Sequence, residues 1–173
     1  MPVQNSTAQK WRLIGKLMSI YCLLSWAVVL LFYFFGNLDL AQYKTTNPIF
    51  FYPLRRFVVF FEQAFWGALR EETLYRGPIW FLTVAGLNFT AISALRQKWS
   101  KWHYFLIGLA IFIPNVYWIK GHHVLPFLVF FAGLGWGWLV YKTGSLWPAI
   151  VSHVMANVLI YFGIKLAGLF IKV

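Results

Sequence analysis

The sequence predicts an all-α, polytopic membrane bundle of about six helices, and three observations predict it. The first is composition: 61% of residues are hydrophobic and 11% are charged, with a mean hydropathy of +0.67. A soluble domain would carry about a quarter of its residues as charges, so this chain cannot cover itself with a water-facing surface. The second is the length of its apolar runs. Leu17 to Leu38, Gly77 to Leu95, Trp102 to Ile119, Val124 to Val140 and Ser145 to Ile164 contain no Asp, Glu, Lys or Arg. Each approaches the ~20 residues that a helix needs to cross the hydrocarbon layer. The third is where the cations sit. Lys10, Arg12 and Lys16, Arg55 and Arg56, Arg96, Lys98 and Lys101, Lys142, and Lys172 flank the apolar runs, where basic groups meet anionic headgroups.

Taken in order, residues 1–15 form a polar N-terminal segment, disordered over its first ten residues, and 16–173 form one transmembrane domain. A first helix spans about Lys16 to Phe35 and stops at the turn-forming Gly36-Asn37. The run is too long for a signal-peptide core and no small-residue cleavage site follows it, so the mature protein keeps it. A loop rich in Asn, Thr, Pro and Tyr follows, with a short interfacial piece near Ile49 to Tyr52. The second helix covers about Arg55 to Arg76, and Gly77-Pro78 ends it. The third covers Ile79 to Arg96. The fourth covers Trp102 to Lys120, with a kink or break near Pro114-Asn115, and Gly121-His122-His123 interrupts the chain. The fifth covers Val124 to Tyr141, and Thr143-Gly144-Ser145 turns it into the sixth, Leu146 to Ile164. Gly133, Gly135 and Gly137 on the fifth helix allow another helix to approach closely. Cys22 is the single cysteine and reads as packing.

The net charge of +11 suggests nucleic acid, but the placement of the cations favours lipid headgroups, and no nucleic-acid partner is expected. The 10 Trp and 9 Tyr suit interfacial belts. The expected partners are membrane lipids and a membrane-associated peptide or protein, and the expected location is the cell membrane, as a multi-pass integral protein.

Chemistry must come from very few groups. The acidic residues are Asp39, Glu62, Glu71 and Glu72. A charge at mid-membrane costs about 2.5–3.5 kcal/mol even on insertion scales, so an adjacent pair needs compensation or a use. Arg76 follows Glu72 by four residues and shares its helix face. Glu71 lies about 100° round the helix and has no such partner in its own segment, so another helix or water must answer it. Of the four histidines, His103 begins a helix beside Lys101, and His122 and His123 occupy a helix break. His153 lies inside the last helix with Asn157 four residues on, both pointing the same way.

Together these make a constellation suited to hydrolysis by an activated water. Glu71 is the base, one imidazole (His122 or His123) orients water or protonates the leaving amine, and His153 and Asn157 donate to an oxyanion. No Ser-His-Asp triad is evident. Zinc is the alternative, because Glu71, His122, His123 and His153 are ligand types. The His-Glu-x-x-His signature is missing, however, and Asn157 is a poor ligand. The metal-free reading is preferred, with no cofactor.

Glu71-Glu72-Thr73-Leu74-Tyr75-Arg76 resembles the EExxxR motif of the CPBP family, the CAAX protease and bacteriocin-processing (Abi) family, which includes the type II CAAX prenyl endopeptidases. His153-Val154-Met155-Ala156-Asn157 resembles its HxxxN motif, and Tyr141 to Ile150 resembles the segment leading into it. The middle motif is ordinarily Phe-x-x-x-His; here Trp118-Ile119-Lys120-Gly121-His122 fits with Trp in place of Phe, and the His123 register would place Ile119 there. The motif-bearing core covers about residues 55–164.

The resemblance implies a helical bundle with a polar intramembrane cavity and peptide-bond hydrolysis without an essential catalytic metal. It implies that Glu71 activates water with His122, that Glu72 and Arg76 support the site, and that His153 and Asn157 form the oxyanion hole. The substrate would be a CAAX-type prenyl peptide, a bacteriocin leader or a sorting tail. Competing readings are a non-enzymatic immunity or scaffold protein of the same family, a zinc-dependent membrane protease, and a transporter that uses its acids as a proton relay.

Overall fold

Among the described residues the long helices are α1 (Thr7–Phe34), α2 (Phe57–Phe89), α3 (Ser93–Ile119), α4 (Pro126–Thr143) and α5 (Trp147–Phe170). The structure is a computed structural model and describes residues 6–34, 44–45, 48–89, 93–119 and 126–170. No strand occurs among the described residues. Among them one helical segment, Trp147–Leu166, is long and apolar enough to cross a membrane by length and composition, and Phe105–Ile119 is a shorter apolar stretch.

Helix α1 begins at Thr7, earlier than the polar composition suggested. Its start is a reciprocal cap: the Gln9 N–H donates to Ser6 Oγ at 3.3 Å, and the Ser6 N–H donates to Gln9 Oε1 at 2.8 Å. Ser-x-x-Gln is a capping box, which satisfies two amide donors at a helix N-terminus. The extra turns are anchored where Trp11 meets Trp147, ring centroids 5.4 Å apart, and where Ile14 is buried.

The expected helix boundary at Gly77-Pro78 is absent, so five long helices stand among the described residues where six are expected. Helix α2 runs through Pro78, so the two expected segments, Arg55 to Arg76 and Ile79 to Arg96, are largely one helix. Proline in a helix interior removes one hydrogen bond and crowds the carbonyl four residues before it. Its neighbours hold the helix on both sides: Arg76 and Ile79 are both buried, while Pro78 faces outward. Helix α3 likewise continues through Pro114 without a break. The α4–α5 turn is as expected. Gly144 adopts φ +61° and its N–H donates to the Val140 carbonyl at 2.8 Å, the left-handed C-terminal cap that glycine adopts without a Cβ penalty. The Thr143 hydroxyl donates to the Leu139 carbonyl at 2.7 Å in the same turn.

Helices α4 and α5 form the middle of the molecule, with α1 against one side and α2 against the other, and α3 packs on α2 and α4. The larger core joins Ile14, Met18, Ile79, Trp118, Trp136, Leu139 and Ala149. A smaller one surrounds Tyr161, which stacks on Phe60 at 4.3 Å and donates its hydroxyl to the Tyr52 carbonyl at 3.0 Å. The turn at Pro48–Phe51 contributes Phe50 to it, so the expected interfacial piece is a 3-10 turn packed on α5. Two of the α4 glycines sit where a Cβ would press on a neighbouring helix: 2.6 Å from Leu17 at Gly135, and 3.1 Å from Ile111 at Gly137. A pocket between α1 and α4, lined by Leu17, Met18, Tyr21, Leu128 and Trp136, is apolar and is distinct from the expected polar cavity.

Candidate active site

Helix α2 brings the Glu-Glu pair to the point where α3, α4 and α5 meet it. Glu72 and Arg76, one turn apart, are both buried, while Arg70, Thr73 and Leu74 point outward. Glu71 is half-buried on the flank of that face.

Each charged group is answered from a different helix. His153 of α5 is buried, and its Nδ1 lies 2.9 Å from Glu72 Oε1. Arg76 Nε approaches Glu72 Oε2 at 3.4 Å, close enough to attract as an ion pair but not aligned as a hydrogen bond. Arg76 Nη2 donates to Asn115 Oδ1 at 3.5 Å, and Asn115 Nδ2 donates to the Phe130 carbonyl at 2.9 Å. Glu71 Oε2 accepts a hydrogen bond from the indole N–H of Trp118 on α3. A buried carboxylate persists only when paired and hydrogen-bonded, and here α3 and α5 supply the partners that α2 lacks.

Aromatic rings form the walls. Trp136 of α4 stacks on the His153 imidazole at 4.1 Å and 16°. Trp118 meets both rings edge-on, 5.5 Å from Trp136 and 5.9 Å from His153. The Arg76 guanidinium lies 4.6 Å above Trp118 and 5.5 Å from Trp136. Cations over indole faces gain electrostatic attraction, most when desolvated. The glycine at 133 belongs to this assembly, because a Cβ there would overlap Asn115 Oδ1 and lie 2.6 Å from Arg76 Nη2.

The structure therefore brings together Glu71, Glu72, Arg76 and His153. Asn157 lies one turn beyond His153 on α5, half-buried. His122 and His123 lie outside the described residues. Among the described residues no three metal-ligating side chains converge. The sequence reading counts Glu72 in the catalytic set with Glu71, His122, His153 and Asn157, and Arg76 and His123 as supporting; the geometry makes Glu72 the partner of His153. Three site residues escaped that reading. Trp118 enters it only as the aromatic of the middle motif, Asn115 only beside a proline, and Trp136 does not enter it. Spacing offered one clue, since Asn115 and Trp118 share a helix face at i, i+3.

The sequence model of the family described as type II CAAX prenyl endopeptidase Rce1-like matches residues 52–159, more than half of the chain. The chain belongs to this family. No curated protein and no solved structure matches it. The Rce1-like family is a family of membrane-embedded proteases, and the matched span contains every site residue named above.

Proposed function

We propose that the chain is a multi-pass intramembrane endopeptidase that cleaves a peptide bond of a lipid-anchored or membrane-inserted substrate with a water activated by Glu71. A CAAX-type prenyl peptide is the first candidate substrate, ahead of a bacteriocin leader or a sorting tail. The observation that carries this reading is the division of labour between adjacent carboxylates. Glu72 is occupied by His153 and Arg76, while Glu71 Oε1 makes no hydrogen bond among the described residues. One carboxylate is thus spent on architecture and the other keeps an oxygen for water.

The reaction follows from these atoms. Glu71 takes a proton as the water oxygen attacks the scissile carbonyl carbon. The resulting oxyanion meets the Nε2–H of His153 and the side-chain amide of Asn157. Collapse breaks the C–N bond, and Glu71 returns its proton to the departing amine. Glu72 Oε1, 2.9 Å from Nδ1, holds the His153 ring in place for the oxyanion contact. His122 is the proposed second group on the water.

A membrane setting suits the surface. Leu23, Val58, Leu74, Phe81 and Phe112 are large apolar side chains exposed on the outside, where lipid would cover them. His153 lies six residues, ~9 Å, along the helix from Trp147, which is below the headgroups if Trp147 sits at the interface. Lipids and the substrate are the proposed partners. The test is cleavage of a prenylated CAAX peptide by the purified protein in proteoliposomes. Wild-type protein should release the C-terminal tripeptide and Glu71→Ala should not; full activity in Glu71→Ala would overturn the assignment.

A further inference from the structure

We propose that Trp118 is the positioning residue for the base: its indole N–H holds one oxygen of Glu71 so that the other is presented to water. This rests on the reading of Glu71 as the base and goes beyond it by naming what orients that carboxylate.

Three contacts of one side chain carry the proposal. The Trp118 N–H donates to Glu71 Oε2. Its ring face carries the Arg76 guanidinium at 4.6 Å. Its edge meets the His153 imidazole at 5.9 Å and 78°. Trp118 is buried at 4% exposure and belongs to the larger core, so its ring is held by packing. Glu71 is the opposite, a half-buried carboxylate on the flank of α2 with Arg76 one turn and a bit further along the same helix. Left to itself, Glu71 could turn to Arg76, whose positive charge would then be divided between two carboxylates. The indole donor anchors it away from that competition. A rigid donor on a separate helix is what a flexible glutamate needs to keep a single rotamer, and misplacing a catalytic group by an ångström costs ~100-fold in rate.

The indole ring and the N–H have separable duties. The ring walls in Arg76 and His153; the N–H donates to Glu71. Phenylalanine keeps part of the ring and loses the donor. β-(3-benzothienyl)alanine at position 118 keeps the bicyclic shape and replaces the N–H by sulfur, so it removes the hydrogen bond with the least disturbance to packing.

The experiment measures both variants in proteoliposomes against a prenylated CAAX peptide, and in parallel follows modification of Glu71 by a hydrophobic carbodiimide with peptide mass mapping. Trp118→Phe and the benzothienyl variant should lose about 10–100-fold in kcat with KM within about twofold, the signature of a lost transition-state contribution. The benzothienyl variant should keep the wild-type melting temperature. The indole N–H occupies Glu71 Oε2 and its loss frees both oxygens for the reagent, so labelling at Glu71 should be faster in both variants than in wild type. Wild-type kcat and wild-type labelling in the benzothienyl variant would overturn the proposal. The labelling arm needs no catalysis: if the wild type cleaves nothing, the protease reading fails, while faster labelling still establishes the Trp118–Glu71 bond. If the wild type cleaves normally and labelling is unmoved, the Trp118 role fails alone.

Discussion

Glu72 Oε1 and His153 Nδ1 stand 2.9 Å apart across 81 residues of sequence, joining α2 to α5 inside the bundle. The contact closes a chain of polar groups that runs from the Phe130 carbonyl through Asn115, Arg76 and Glu72 to His153. Every member except the Phe130 carbonyl is a buried side chain, so breaking any link strands a charge or an amide in a low-dielectric interior.

Two substitutions at Glu72 separate architecture from catalysis. Glu72→Ala leaves Arg76 without its ion-pair partner, and breaking one side of a buried pair costs about 3–5 kcal/mol. Its melting temperature in detergent should fall well below that of wild type. Glu72→Gln keeps the size and one acceptor but removes the negative charge beside Arg76 and His153. It should fold and lose about 100-fold in kcat with little change in KM. Equal melting temperatures for Glu72→Ala and wild type would show that the pair is not a structural link.

His153 and Asn157 are expected to differ in the same way. His153 is buried, stacked on Trp136 and bonded to Glu72, so His153→Ala should lower both thermal stability and kcat. Asn157 is half-buried and makes no hydrogen bond among the described residues. In the proposed mechanism its amide donates to the oxyanion. Asn157→Ala should keep the wild-type melting temperature and lose about 10–1000-fold in kcat, the range for one oxyanion donor. A drop in stability without a drop in kcat would reverse its role.

The helical class was legible because apolar runs and flanking cations report solvent preference directly, and Glu72 and Arg76 were legible as a pair because i, i+4 geometry is local. What crosses between helices was not. Nothing in the segment around Glu71 names Trp118, because that hydrogen bond depends on how α2 and α3 pack. The pairing of His153 with Glu72 rather than with Glu71 is decided by a rotation of about 100° on α2. The early start of α1 was available in Ser6-x-x-Gln9 but was outweighed by polar composition. The helix end expected at Gly77-Pro78 failed because a local breaker was overruled by burial of Arg76 and Ile79 on either side.

That last point is testable. In a continuous helix Pro78 costs the hydrogen bond that its N–H would give the Leu74 carbonyl, and Pro78 faces outward with no packing to lose. Pro78→Ala should therefore raise the melting temperature, by an amount corresponding to roughly 1–3 kcal/mol, with cleavage activity retained. If α2 ended at Gly77-Pro78, the same change would be neutral or harmful, since proline suits a helix start.

Gly133 offers the sharpest test of the polar chain because its effect depends on a second residue. A methyl group at 133 would overlap Asn115 Oδ1 and crowd Arg76 Nη2, and overpacking of this kind costs about 1–3 kcal/mol. Gly133→Ala should lower the melting temperature and, by displacing Arg76 from Glu72, reduce kcat as well. Asn115→Ala alone also destabilises, because it removes the partners of Arg76 Nη2 and of the Phe130 carbonyl. Combined, the two should cost less than the sum of the single changes, since truncating Asn115 opens the space that the new methyl fills. A thermal-melt double-mutant cycle measures that coupling, expected at about 0.5–3 kcal/mol for residues in direct contact. Strict additivity would mean that Asn115 does not lie against Gly133, and the bridge from α4 to Arg76 would then be lost with it.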